Sequence, residues 1–130
     1  MLNEEPINVT EINEQKIVDQ IRCLGIDMID EAESGHPGIV LGAAPIIYAL
    51  YAHHLRFDKD YPDYFNRDRF IMSAGHGSAL LYAMLFIAGY NLTIDDLVEF
   101  NNIRYSDCRV RVTNGSTFTI NTPGRYYVFF

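Results

Sequence analysis

Four histidines occur among the 130 residues, and two of them stand in turns built from small residues. His36 lies in Ser34-Gly35-His36-Pro37-Gly38, and His76 in Ala74-Gly75-His76-Gly77-Ser78. An imidazole can hydrogen-bond an anion or move a proton near neutral pH. Glycine beside it lets the main chain come close to a ligand. The second turn follows a short apolar run, Phe70-Ile71-Met72, and leads into a stretch with Leu80, Leu81, Met84, Leu85 and Ile87. Strand, glycine turn and helix start is where α/β proteins bind anions, because the first amides of the helix lack intrahelical partners. His76 is then placed to touch a phosphate-bearing ligand. Pro37 disfavours helical geometry at His36, so that ring projects from an extended or turn backbone. A lone histidine is by default packed or solvated; the small residues flanking these two argue for a ligand.

The remaining polar candidates carry less chemistry. His53 and His54 are adjacent and point in different directions, unlike a metal pair at i,i+4. Asp68 with Arg67 and Arg69 reads either as a phosphate site or, preferably, as charges that pair with one another and fix the loop before the strand. Cys23 and Cys108 have no metal-ligand spacing, and free thiols in a cytosolic protein are the default.

The elements that must hold the two turns follow from periodicity. Thr10 is a candidate N-cap with Glu11 and Glu14 in the first turn, opening an amphipathic helix to about Ala32. Ile17, Val18, Ile21, Leu24, Gly25, Met28 and Ile29 form its buried face, with Gly25 at a close helix crossing. A second helix is expected over about Ala43 to Leu55, with Ile46, Ile47, Leu50, Tyr51 and His54 on its apolar side. Pro45 fits its first turn, which leaves Ile39–Gly42 irregular. Arg56 to Asn66 reads as a solvated loop, Arg69 to Ser73 as a buried strand, and Gly77 to Ala88 as a helix closed by Gly89. Thr93 and Asp96 make a capping box for a short helix through Leu97, Val98 and Phe100. From about Tyr105 the pattern changes. Arg109–Thr113 and Ser116–Ile120 alternate polar and apolar around Asn114-Gly115, a β-hairpin signal, before the apolar end Tyr126–Phe130.

Composition bounds the function. Nearly half the residues are apolar (48%), enough for one domain with a core. The net charge of −7 argues against nucleic acid and anionic membranes as partners. The polar, acidic start argues against a signal peptide, and no apolar run reaches the length of a membrane span.

Taken together, Ser-Gly-His-Pro-Gly, then Asp-Arg-Phe, then Ser-Ala-Gly-His-Gly-Ser resemble the N-terminal part of transketolase, over about Ile17 to Asn102. The resemblance implies a thiamine-diphosphate-binding α/β fold, a parallel sheet flanked by helices. This chain would hold its leading helices and first strand: mostly helical, truncated, with a possible C-terminal hairpin. The implied division is a flexible arm (1–9), a partial transketolase domain (10–104) and a divergent tail (105–130). The implied activity is transfer of a two-carbon ketol unit between sugar phosphates. His36 would be catalytic and, with Ser34, contact the donor sugar. His76, Gly75, Gly77 and Ser78 would hold the cofactor, with Gly35 allowing close backbone approach. The cofactor implied is thiamine diphosphate with Mg2+, in a cytoplasmic homodimer. The family's Thr-Pro-Gly-His-Pro loop and its metal-binding Gly-Asp-Gly segment are missing. Thr122-Pro123-Gly124 is a faint echo, so the chain is assigned no metal ligands of its own. This departure suggests a truncated or frameshifted gene product, with residues after about Asn102 not under selection for the fold. The alternatives are a non-catalytic fragment or partner-binding module, and a relative of deoxyxylulose-phosphate synthase. That enzyme tends to place Gln after the second histidine, where Gly77-Ser78 stand here.

Overall fold

A computed structural model of the chain describes residues 13–99 and 125–129. The first helix, α1 (Glu14–Glu31), is capped by Asn13, whose side chain accepts from the Lys16 amide at 3.1 Å. Thr10, expected as the cap, lies outside the described residues. Val18, Ile21, Gly25 and Met28 are buried along one face. A Cβ on Gly25 would come within 2.6 Å of Val40 Cγ1, so glycine is what allows the close crossing of α1 over the next helix.

That helix, α2 (Pro37–Ala49), begins six residues before the expected start at Ala43. Pro37 sits in its first turn, where a missing N–H costs nothing. Pro45 lies inside the helix and leaves the Leu41 carbonyl without its usual donor. Arg22 of α1 supplies the replacement, its Nε donating to Leu41 O at 2.9 Å. A tertiary hydrogen bond thus carries the helix through a residue that locally breaks it. Beyond Ala49 the coil widens into a π turn, Leu50–His54. Ile47 and Tyr51 enter the core as expected, but Ile46 stays 52% exposed and His54 is exposed, contrary to the apolar side read from the sequence.

Strand β1 (Arg69–Met72) leads through a 3₁₀ turn, Gly75–Gly77, into α3 (Ser78–Ile87). Every residue of α3 from Ala79 to Leu85 is buried, and α1 and α2 both pack on it. Gly89 adopts φ +85 just past its end, as expected of a C-terminal glycine. The capping box at α4 (Ile94–Val98) forms as read: Thr93 Oγ1 accepts from the Asp96 amide, and Asp96 Oδ2 accepts from the Thr93 amide at 2.7 Å. The Thr93 amide and the Thr93 hydroxyl, both donating to Asp96 Oδ2, hold the Asp96 carboxyl below its ordinary range.

The apolar end of the chain is strand β2 (Tyr126–Phe129), paired parallel to β1 with Arg69 opposite Tyr126 and Met72 opposite Phe129. From the sequence only the first of these two strands is expected. The expected hairpin, 109–120, lies outside the described residues. No helix among those residues is long and apolar enough to cross a membrane.

Candidate functional site

The first histidine turn grows out of the end of α1. Glu33 N–H donates to Asp30 O and Ser34 N–H to Ile29 O, the paired bonds of a Schellman closure. The residue in the left-handed position is Glu33, at φ +48, where glycine is the usual choice. Gly35 follows at φ +145, and a Cβ there would lie 2.6 Å from Ile29 Cγ1. Both conformation and space require glycine. His36 is then extended (φ −123, ψ 97) and precedes α2 without its side chain capping the helix. The extended backbone expected from Pro37 is present, and the ring is left available.

The second turn is built differently. Gly75 N–H donates to Ser73 O, Gly77 N–H to Ala74 O and Ser78 N–H to Gly75 O. The amides of Gly75, Gly77 and Ser78 are therefore hydrogen-bonded to the carbonyls just behind them. Gly77 is buried; a Cβ on it would meet Ile39 Cδ1 at 2.9 Å and Met72 Sδ at 3.0 Å. Its role in the fold is to seat the turn on the core. His76 is exposed at the tip.

Forty residues apart in sequence, the rings of His36 and His76 meet edge to face, with centroids 5.3 Å apart. Ser34 and Gly35 are exposed beside His36, and Gly75 and Ser78 are half-buried beside His76. The fold thus brings both turns to one exposed face at the C-terminal end of β1.

Two other polar groups of the sequence are placed elsewhere. Asp68 is a fully buried carboxylate. It accepts from the Arg56 amide at 2.8 Å, from the Arg56 guanidinium, and from Nε and Nη2 of Arg125. Burial pushes its carboxyl up, but the bonds from Arg125 and Arg56 outweigh that and hold it below the ordinary carboxylate range. The loop-fixing reading of this charge is therefore right in kind, with different partners. Arg67 and Arg69 donate to backbone carbonyls of the loop instead. At the far end of α2, His53 Nε2 lies 2.7 Å from Glu14 Oε1, with the Tyr48 hydroxyl donating to the same oxygen at 3.4 Å. Burial, with the Glu14 charge, raises the Tyr48 phenol. The Glu14–His53 contact had no signal in the sequence, because it joins residues 39 apart.

A mostly helical domain, with two imidazoles where β1 gives way to α3, has its candidate site at a strand-to-helix turn. The sequence profile of the transketolase thiamine diphosphate binding domain matches residues 13–112. A transketolase of Staphylococcus aureus strain MW2 is 53% identical over 87 residues, 67% of this chain and 13% of the relative. Among solved structures, transketolase from Leishmania mexicana superposes with a TM-score of 0.65 at 46% identity, covering 67% of this chain and 13% of that one. Transketolase from Pichia stipitis, solved in complex with sedoheptulose 7-phosphate, gives 0.64 at 45% identity over 66% and 13%. The chain belongs to the transketolase family, in its thiamine diphosphate binding domain. It spans about an eighth of the length of the relatives it matches. The deoxyxylulose-phosphate synthase alternative is not favoured.

Two exposed imidazoles on one face suit the donor set a diphosphate needs. For Mg2+ the fit is absent: among the described residues no three His, Cys, Asp or Glu side chains gather.

Proposed function

We propose that this chain forms the histidine-bearing face of a transketolase site, serving transfer of a two-carbon ketol unit between sugar phosphates. The observation that carries the reading is the meeting of His36 and His76 at 5.3 Å from turns forty residues apart. Thiamine diphosphate, when bound, supplies the electron sink that such a transfer requires. His76 hydrogen-bonds the diphosphate, on the rigid turn formed by Gly75, Gly77 and Ser78. His36, on its extended backbone, contacts donor sugar hydroxyls together with Ser34 and holds or moves a proton there. In the whole enzyme the substrates are sugar phosphates, and the assembly is the homodimer that the family resemblance implies.

Calorimetry on the purified chain with thiamine diphosphate, with and without Mg2+, tests this. His76→Ala is expected to weaken cofactor binding about tenfold or more, the loss of a charge-assisted hydrogen bond. His36→Ala is expected to leave cofactor affinity within about twofold while weakening the response to a ketose phosphate. Equal affinities in wild type and both variants would remove the assignment.

A further inference from the structure

Asp68 holds more of the fold together than a loop. Its fully buried carboxylate receives a two-nitrogen fork from Arg125, the residue that opens β2. The remaining reach of Arg125 goes to the His54 carbonyl, at 3.0 Å, where the π turn ends. One residue beyond Asp68, the Arg69 amide donates to Arg125 O at 2.9 Å, the first bond of the parallel ladder. At the other end of β1, Met72 is fully buried, and its sulfur lies where a side chain on Gly77 would go. Ser73 O accepts the Gly75 amide. The strand that Asp68 anchors is therefore the seat of the turn that carries His76.

We propose that Asp68 and Arg125 form a latch through which the terminal strand positions the His76 turn. Docking of Arg125–Phe129 fixes β1, and β1 fixes Gly75–Gly77 through Met72 and Ser73. Asp68 is in this sense a positioning residue, acting through β1. Arg56 also donates to Asp68, by its amide and its guanidinium, and its carbonyl accepts the Asp68 amide; it pairs with neither strand, and Arg56→Met removes only the guanidinium bond, which supplies the control. Removing either arginine deprives the carboxylate of a cation; only the loss of Arg125 undocks β2.

Hydrogen exchange and NMR on the full chain test this, and neither involves the cofactor, so the result stands apart from the transketolase reading. In Arg125→Met the Arg69 amide should exchange about ten- to a hundredfold faster than in wild type. The Gly77 amide should also speed up, and the cross-peak between the His36 and His76 rings should weaken. Amides of α1 and α3 should keep their protection. Arg56→Met should leave the Arg69 and Gly77 amides within about threefold of wild type. Should Arg125→Met fail to fold, Arg125→Lys keeps the charge without the fork, and intermediate exchange at both amides is expected. The proposal is overturned by wild-type exchange at Arg69 in both Arg125 variants, or by fast Arg69 exchange with the Gly77 amide and ring contact unchanged. Equal effects of Arg56→Met and Arg125→Met would also overturn it. Protection at Arg69 that rises with protein concentration would mean a strand exchanged between copies, and overturns it too.

Discussion

In the Glu33–Pro37 turn the chain passes through two positive φ angles, 48° at Glu33 and 145° at Gly35, before His36 extends. In the Ala74–Ser78 turn the angles at Ala74, Gly77 and Ser78 are all negative, and the amides of Gly75, Gly77 and Ser78 close on carbonyls just behind them. The two turns share the letters Gly-His and use glycine for different ends. Gly35 is needed for its conformation and for the Ile29 side chain beneath it; Gly77 is needed only for the room it leaves to Ile39 and Met72. A motif of two glycine-flanked histidines therefore hides one strained bridge and one relaxed coil. Strain of this kind persists only where surrounding packing enforces it. Here the enforcing contacts are the Schellman bonds of α1 and the start of α2 at Pro37.

Substitution at Gly35 should separate the two turns most sharply. Gly35→Ala adds a forbidden conformation to an overlap with Ile29 Cγ1, and should cost about 3 kcal/mol in urea unfolding. A loss below about 1 kcal/mol would mean that the turn relaxes freely and that its conformation is not required. Gly77→Ala keeps an ordinary φ of −90 and meets mainly mobile side-chain ends, so about 1–2 kcal/mol is expected by the same measurement. A larger loss than for Gly35→Ala would invert the comparison. The smallest effect should be a gain. Glu33→Gly relieves a left-handed residue at the helix end, and should raise stability by about 1 kcal/mol. Gly89 already fills the same position after α3, with matching bonds from Gly89 to Phe86 O and Tyr90 to Leu85 O. A destabilised Glu33→Gly would show that the Glu33 side chain makes a stabilising contact of its own.

Much of this architecture was legible along the chain because the signals were local. The α1 face, the short strand, the glycine that closes α3 and the Thr93–Asp96 box each depend on residues a few positions apart. The start of α2 was misread because Pro45 argues against a helix within its own neighbourhood, and the donor that rescues it, Arg22, belongs to another element. The apolar end was misplaced for a similar reason. A run such as Tyr126–Phe129 has no preference for a particular neighbour until Asp68 and Arg69 present themselves. A strand-turn-helix pattern does not reveal that the amides of Gly75, Gly77 and Ser78 close within a 3₁₀ turn.

The sequence by itself determined which residues could do chemistry and what kind of backbone would carry them. Proline after His36 and glycines around His76 constrain φ wherever they stand. Only the tertiary structure decided that the two rings face one another, that Arg125 answers Asp68, and that the last strand lies parallel to the first. Those are meetings of residues tens of positions apart, and burial of the shared core, not local propensity, selects among the ways a chain can bring them together.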